Sequence, residues 1–261
     1  MRELDDDGAL RGQFSTEIVA HRGGSSRWPE NSGLAFRDTL TLAVDQVEFD
    51  VQLTSDGVPV VFHDATLERV TNGIGPVADK SLSSLRGLSI NEGGGSILML
   101  QELIELLVDS DITLRCEFKS GVLVSPPADL IEKSLALLSA AGLLERSVFT
   151  GFHLPTVTLL RQQLPAACGI AWLVARQPVA FIGAEGIALL AVRAGIESLS
   201  MHHSQVDDEM LQVLDESEIR LGAFGLQEGA DMVRMLEKPV AVLTTDRPRL
   251  AIRLREALSS R

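Results

Sequence analysis

The sequence has 261 residues, of which 45% are hydrophobic; this size and composition fit one α/β barrel and exclude a disordered chain. With 23 lysine and arginine residues against 36 aspartate and glutamate residues, the formal net charge is −13, which argues against nucleic acid or an anionic bilayer as a partner. No apolar run is long enough to span a membrane, and a cytoplasmic location is the expectation.

The first segment, residues 1–16, contains three consecutive aspartates and no apolar run, so we expect a loose tail there. Residues 17–261 are expected to form a single domain. Eight apolar or β-branched runs predict its strands at 17–21, 46–52, 112–118, 147–152, 169–174, 198–201, 219–224 and 240–244. Amphipathic segments between them predict helices, among them 32–44, 101–109, 128–141, 207–216 and 228–236.

Eight alternations of this length favour a closed parallel TIM (β/α)8 barrel over an open doubly wound sheet. One region interrupts the alternation. The tight turn Ser55-Asp56-Gly57 ends the second strand and begins a short extension that leads to His63, and turn-rich sequence follows. We interpret residues 58–96 as a small insertion over the barrel mouth and not as an independent domain.

The second predicted strand places two carboxylates side by side. Glu48 and Asp50 share one face, because side chains two apart in a strand point the same way. A cation, a shared proton or open solvent would relieve their repulsion. For these two residues alone, a solvated edge strand explains the pattern as well as a metal site does. Glu117 and Lys119 repeat the alternation on the third strand, and this third acid favours the metal site.

Two histidine motifs flank the second strand, HRG at residues 21–23 and FHD at residues 62–64. Together with the neighbouring residues they form an ordered series: AHRGGSSRWPENS (20–32), VEFDVQLTSDGVPVVFHD (47–64), RVTNGIGPVADKSLSSL (69–85), CEFKSG (116–121) and LTTDRP (243–248). In this order the motifs resemble the glycerophosphodiester phosphodiesterase family, whose fold is an α/β barrel with a small insertion after the second strand. The resemblance covers most of the chain.

The resemblance implies that Glu48, Asp50 and Glu117 bind one divalent cation and that His21 and His63 are the acid/base pair. Three carboxylate ligands suit Mg²⁺ or Ca²⁺, and Mn²⁺ stays open. The family assigns His63 as the proton donor to the leaving alkoxide and His21 as the base; the residues themselves do not settle which histidine has which role.

The resemblance also implies that Arg22 and Lys119 bind the substrate phosphate, since a guanidinium can hold two phosphate oxygens. Phe224 stands where the family often has tryptophan, so it keeps a ring for substrate packing but loses the indole donor. Glu30 and Asn31 are expected to orient His21 or to cap the helix that begins near residue 32. The other histidines, at positions 153, 202 and 203, match no catalytic position and receive no role.

The expected activity is hydrolysis of glycerophosphodiesters, small-molecule phosphodiesters, to an alcohol and glycerol 3-phosphate. Two alternatives use the same site: lysophospholipase D-type cleavage of lysophospholipids, and a catalytically silent barrel that only binds phosphate. An aldolase or isomerase on this fold would need Lys119 as its reactive amine, and neighbouring carboxylates should keep that amine charged. The sequence leaves the oligomeric state and the preferred head group open.

Overall fold

The apolar runs of the sequence form the strands of a parallel barrel. The computed structural model describes residues 16–121 and 123–260, and these contain β1 (Glu17–Ala20), β2 (Gln46–Leu53), β3 (Pro59–Val61), β4 (Thr113–Phe118), β5 (Ser147–Gly151), β6 (Gly169–Val174), β7 (Ser198–His202), β8 (Arg220–Phe224) and β9 (Val242–Thr245). Each of the eight predicted strands matches one of these to within two residues at either end. The predicted tail lies outside the described residues, apart from Thr16.

Eight of these strands close into a ring. The order is β1-β9-β8-β7-β6-β5-β4-β2, every pairing in it is parallel, and β1 also pairs with β2. β3 lies outside the ring and runs antiparallel to β2. This arrangement confirms the TIM barrel with an extra element after the second strand.

Helices follow the ring strands and cover the barrel. They are α1 (Gly33–Thr39), α2 (Leu82–Arg86), α3 (Leu100–Leu107), α4 (Ala128–Ala140), α5 (Leu154–Gln163), α6 (Arg176–Arg193), α7 (Asp208–Glu216), α8 (Gly229–Leu236) and α9 (Pro248–Ser259). Within the described residues, no helix is both long and apolar enough to cross a bilayer. α1 ends five residues before its predicted end, because the chain turns there to place Asp45, whose carboxylate accepts a hydrogen bond from the Ile18 backbone and pairs with Arg255.

The strands separate two different environments. Alternate strand residues pack against the helices in one large apolar layer, which includes Phe49, Phe149 and Met201. The side chains between them point into the barrel, and several of these are polar. Arg115 on β4 is 3% exposed and donates to Ser200 on β7 at 3.2 Å, a contact that crosses the barrel interior because β5 and β6 lie between the two strands.

The segment from residue 58 to residue 96 has its own small apolar cluster. Gly57, with φ at +76°, makes the turn into β3, and α2 follows later in the segment. The buried members of the cluster are Val60, Phe62, Leu67, Val77, Leu85, Ile90 and Ile97. The second histidine, His63, lies between β3 and Arg69, and this packing fixes that stretch of chain. The division into a tail and one catalytic domain stays a prediction.

Candidate active site

The three predicted metal ligands lie together on two adjacent strands. Glu48 and Asp50 occupy alternate positions of β2, and Glu117 on β4 is the register partner of Asp50. All three are buried, and one carboxylate oxygen from each lies within 4.8 Å of the others. Val47 and Phe49 point the other way, into the apolar layer beneath the helices. We refer to the three acids as the carboxylate cluster.

Two oxygens of the carboxylate cluster are buried without a hydrogen-bond donor in the described part of the chain. Glu48 Oε1 and Asp50 Oδ1 are buried, and within the described residues they accept no hydrogen bond. Burial and the charge of Asp50 raise the pKa of Glu48 to about 8. Burial also disfavours the charged form of Asp50, but the charges of Lys119 and Arg22 hold its pKa below the usual value. A divalent cation prefers carboxylate oxygens as ligands, and a bound cation would give these two oxygens a positively charged partner. These residues therefore fit a metal site.

His21 begins the turn that follows β1 and lies beside the carboxylate cluster. The turn is a short 3-10 helix, His21–Gly23, in which Arg22 has left-handed backbone with φ at 50°. This conformation is uncommon for a residue other than glycine. It allows the Arg22 backbone N–H to donate to Glu48 Oε2 at 2.8 Å, and His21 Nε2 lies 4.0 Å from the same oxygen.

Asp246, which has no role in the sequence analysis, holds His21 from the far end of the chain. Its Oδ1 lies 2.5 Å from His21 Nδ1, and its Oδ2 accepts a hydrogen bond from Gln227. Burial lowers the pKa of His21, but the hydrogen bond to Asp246 and the charge of Glu48 more than offset this, and the pKa is raised. The available signal is the LTTDRP motif, which places Asp246 directly after β9 at the barrel mouth.

His63 lies just beyond β3 and has a carboxylate partner of its own. Its Nδ1 lies 2.6 Å from Asp64 Oδ1, while Arg69 Nε donates to Asp64 Oδ2 at 2.5 Å. The hydrogen bonds from Arg69 lower the pKa of Asp64 to about 2, so this acid stays charged. Burial holds the pKa of His63 below its usual value, although the charge of Asp50 acts in the opposite direction.

Arg69 also connects this histidine to the loop after β1. Its guanidinium donates to both oxygens of Glu30, at 2.7 and 2.9 Å, and Glu30 accepts a further bond from Arg22 Nη1 at 2.8 Å. A continuous series of ion pairs therefore runs from the partner of His63, Asp64, to the predicted phosphate ligand, Arg22.

The structure corrects the expectation for Glu30 and Asn31. Glu30 contacts the two arginines and not His21, and Asn31 Nδ2 donates to Asp50 Oδ2 at 2.8 Å. The N-cap of α1 is Ser32, whose hydroxyl accepts the backbone N–H of Ala35. Asn31 has left-handed backbone, with φ at 55°, and it accompanies the turn that brings its amide to the buried acid.

Both predicted phosphate ligands lie at the carboxylate cluster. Arg22 Nε is 3.3 Å from Asp50 Oδ2, and Lys119 Nζ is 2.7 Å from Glu117 Oε1 and 3.6 Å from Asp50 Oδ1. Each cationic side chain is 15% exposed, so the mouth gives access to both of them. These two charges offset part of the negative charge of the three acids.

Phe224 lies on the opposite side of the mouth. It ends β8, which faces β4 across the eight-strand ring, and its ring makes edge contacts with Phe152 and His202, with centroids 6.1 and 6.0 Å apart. The structure therefore brings seven of the eight predicted site residues to one half of the mouth and places Phe224 on the other half. Sequence reasoning gave His202 no role, and it lies beside Phe224.

Known proteins resemble this chain over nearly its whole length. The sequence model of the glycerophosphoryl diester phosphodiesterase family matches residues 21–250. A glycerophosphodiester phosphodiesterase of Caldanaerobacter subterraneus subsp. tengcongensis is 29% identical over 256 residues, which cover 92% of this chain and 98% of that protein.

Solved structures agree with this match. A protein of Agrobacterium tumefaciens strain C58, provisionally assigned as a glycerophosphoryl diester phosphodiesterase, is 30% identical with a TM-score of 0.91, over 94% of this chain and 99% of that one. An Oleispira antarctica phosphodiesterase, solved with the product sn-glycerol-3-phosphate, shares the fold at 22% identity and a TM-score of 0.80, over 92% and 96% of the two chains. The chain therefore belongs to the glycerophosphoryl diester phosphodiesterase family.

Proposed function

We propose that this chain hydrolyses glycerophosphodiesters to an alcohol and sn-glycerol 3-phosphate, with a divalent cation bound by Glu48, Asp50 and Glu117. The observation that carries the proposal is the convergence of three buried carboxylates beside His21, two of them with an oxygen that accepts no hydrogen bond within the described residues. Family membership supports the reaction class. The product bound in the Oleispira structure supports a small-molecule phosphodiester as substrate.

The ligand set favours a hard cation. When bound, such a cation would polarise a phosphoryl oxygen and offset the negative charge that grows in the transition state. Three carboxylates favour Mg²⁺ or Ca²⁺, with Mn²⁺ still open. Glu48 must be charged to act as a ligand, and its pKa of about 8 means that cation binding would release a proton from it near neutral pH.

Arg22 and Lys119 would hold the phosphoryl oxygens. Both cations now pair with carboxylates of the cluster, and both are close enough to the mouth to exchange part of that contact for a bound phosphodiester. Glu30 fixes the guanidinium of Arg22 from behind, which keeps its planar face in one orientation. The acidic surface of the chain does not oppose this, because the positive charge is local to the site.

His21 and His63 are the proposed acid/base pair. Each imidazole is oriented by a carboxylate on Nδ1, Asp246 for His21 and Asp64 for His63. Nε2 of each ring neither accepts nor donates a hydrogen bond among the described residues, and we assign this atom to the substrate. The pKa of His21 is raised and that of His63 is lowered. The charges of Glu48 and Asp50, the proposed cation ligands, contribute to these two shifts, so experiment and not the pKa directions assigns the donor and the base.

A leaving-group comparison tests the pair and separates the two roles. An alkoxide needs a proton donor, whereas p-nitrophenolate leaves without one. Loss of the donor histidine should therefore lower kcat on glycerophosphocholine far more than on a p-nitrophenyl phosphodiester. Loss of the base should lower both rates alike. Equal and unaltered rates in His21→Ala and His63→Ala would contradict the acid/base assignment.

A cation-reconstitution assay tests the reaction itself. Enzyme stripped by chelator should release no glycerol 3-phosphate from glycerophosphocholine, and Mg²⁺, Ca²⁺ or Mn²⁺ added in turn should restore the release. Glu117→Gln should lower both cation affinity and rate, while Glu105→Gln, an exposed glutamate on α3, should change neither. Full activity in the stripped enzyme would contradict the cation site.

The same assay with lysophosphatidylcholine tests the lysophospholipid alternative, which predicts release of choline from that lipid. A barrel that only binds phosphate would show no turnover on any of these substrates. A cytoplasmic location stays a prediction from the sequence, as does the absence of nucleic acid and membrane partners.

A further inference from the structure

Three side chains at the mouth have no part in the proposed mechanism. Phe152 follows β5, His202 ends β7 and Phe224 ends β8. We call these three residues the aromatic rim. β7 and β8 face β2 and β4 across the ring, so His202 and Phe224 lie on the wall opposite the carboxylate cluster, whereas Phe152 follows β5, the neighbour of β4.

The direction of these side chains follows from the strands below them. Ser200 receives the hydrogen bond from Arg115 across the barrel, and a Cβ on Gly222 would lie 2.3 Å from the Ser200 hydroxyl, so both positions point into the barrel. His202 and Phe224 come two residues later on the same strands and therefore point inward as well.

Contacts across the opening agree with this direction. The rings of Phe152 and Phe224 lie 6.1 Å apart although β6 and β7 separate their strands, so the contact spans the mouth. Phe152 is 46% exposed, which leaves an apolar surface there for a substrate to cover.

Arg176 adds a cation to this wall. It is the first residue of α6, is exposed, and has its Nη2 2.6 Å from His202 Nε2. Burial and the charges of His203 and Arg176 lower the pKa of His202, which favours the neutral ring. With Nδ1–H donating to the Ser204 hydroxyl, Nε2 accepts from the guanidinium and orients it. Within residues 16–121 and 123–260, the ion pairs of arginine do not include Arg176, and its other N–H groups are available to a ligand.

Asp231, whose charge acts on His202, already has a cationic partner. Asp231 pairs with Arg234 at 3.3 Å and with His203 at 3.5 Å. In a chain with a formal charge of −13, an arginine at the mouth without a carboxylate partner among the described residues marks a local place for an anion.

We propose that Arg176 and His202 form a subsite for an anionic group on the leaving alcohol, whose carbon skeleton packs on Phe152 and Phe224. This inference rests on the proposed function, because a phosphate held by Arg22 and Lys119 sends one of its two substituents toward the opposite wall. The favoured substrates are glycerophosphodiesters whose second alcohol bears a carboxylate or a phosphate. Diesters of neutral or purely cationic alcohols lack the group that the guanidinium recognises.

Glycerophosphoserine and glycerophosphoethanolamine differ by one carboxylate and therefore test the subsite directly. A charged hydrogen bond contributes enough to favour the serine ester in kcat/KM by about tenfold. Arg176→Ala should lower kcat/KM for the serine ester more than for the ethanolamine ester. The ratio of the two kcat/KM values should therefore fall toward one. Arg176→Lys should keep part of it, because the charge remains but the planar fork is lost.

Arg193→Ala is the matched control, since Arg193 is an exposed arginine at the other end of α6, away from the mouth; its substrate ratio should equal that of the wild type. A third diester, whose alcohol bears a phosphate in place of the carboxylate, shows which anion the subsite prefers. The preferred anion is the one whose diester has the higher kcat/KM. A wild-type ratio near one, or equal losses on both esters in Arg176→Ala, would overturn the subsite while leaving the proposed reaction intact. Failure of the wild type to hydrolyse any of these diesters would overturn the proposed function itself.

Discussion

Asp246 fixes the imidazole of His21 although 225 positions separate the two residues. Asp246→Asn keeps the size of the side chain but removes the charge that orients Nδ1–H, and comparable losses of an orienting carboxylate reduce activity by about 10- to 100-fold. The variant also removes one cause of the raised pKa of His21, so the limb of the pH–rate profile that reports this histidine should move to lower pH.

The profile of kcat against pH, measured beside Asp208→Asn, checks this prediction. Asp208 is an exposed acid that pairs with Lys238 and contacts neither His21 nor Asp246 in the described chain, so its loss should leave the profile unchanged. An Asp246→Asn enzyme with wild-type kcat and an unshifted profile would show that the contact with His21 has no effect on catalysis.

Glu48 should make cation binding depend on pH. Its pKa is about 8 in the folded chain and near 4.5 when unfolded, so the folded state holds a proton that the unfolded state has lost between these values. The cation-free protein therefore loses stability as the pH rises through this window, and the cation offsets the loss because it binds the charged form.

Melting temperatures with and without Mg²⁺ or Mn²⁺, at pH 6 and at pH 8.5, measure this effect without any turnover. We expect a larger cation-induced rise in Tm at pH 8.5 than at pH 6, and a much smaller pH dependence in Glu48→Gln. A rise of equal size at both pH values would mean that Glu48 is charged throughout.

The alternation of Glu48 and Asp50 along one strand was enough to predict that they share a face, and their motifs supplied the rest of the cluster. The partners of the two histidines could not be predicted in the same way. Nothing in the local pattern around Asp246 indicates that it reaches His21, because their contact depends on β1 and β9 being neighbours in the closed ring. The contact of Arg69 with Glu30 could not be predicted either, because it depends on how the insertion packs.

The insertion, considered as an element, contributes Arg69 as a link between Asp64 and Glu30. Arg69→Met should leave His63 and Arg22 less well oriented and lower kcat/KM by about tenfold, a typical effect of losing an outer-shell partner. The side chain is 49% exposed, so the variant should still fold.

Arg86→Met provides the matched control for this prediction. Arg86 lies in the same insertion and makes a similar two-bond pair with Glu102, but neither residue contacts a histidine loop in the hydrogen bonds of the described chain. A wild-type kcat/KM in Arg69→Met, or an equal loss in both variants, would argue against an orienting role for Arg69.

Several helices with a clear apolar face were predicted closely, and no range was predicted for α5, α6 or α9. α3, α7 and α8 each bury a regular stripe, and the predicted ranges match them closely. α5 has a polar C-terminal end and a proline in its first turn, and α6 is apolar on several faces and is interrupted at Gly183, where φ is +64°. Periodicity weakens in such segments, because burial on one side no longer dictates the residue type.

Across the whole molecule, the two walls of the mouth come from different parts of the chain. β2 and β4 supply the three acids, and the segments after β1, β3 and β4 supply the histidines and the phosphate ligands. The aromatic rim comes from β7, β8 and the residue after β5. The barrel class could be predicted from the eight alternations, but the relation between the walls required the order of strands in the ring. The sequence therefore predicted a substrate contact for Phe224 but did not predict that Phe152 and His202 lie beside it.

Arg115 connects three ring strands through the barrel interior. It donates to Gln46 on β2 and Ser200 on β7, both at 3.2 Å, and it is the register partner of Glu48. Burial lowers its pKa to about 10, so it remains charged at neutral pH. Arg115→Ala would remove the donor to Gln46 Oε1 and to Ser200 Oγ and would remove a buried cation that neighbours Glu48 in the sheet. Each buried group that loses its hydrogen-bond partner costs about 1–3 kcal/mol, so the variant should lose about 2–6 kcal/mol in the free energy of unfolding.

Denaturant unfolding without cation measures that loss, and Arg220→Ala serves as the comparison. Arg220 is 57% exposed in its side chain and pairs with Glu17 at 3.4 Å, so its removal should cost less than about 1 kcal/mol. Because the charge of Arg115 also acts on Glu48, its loss should raise the pKa of that acid further and shift the pH at which the cation begins to stabilise the protein to higher values. Equal losses of stability in the two variants would show that the polar interior of the barrel does not depend on this guanidinium.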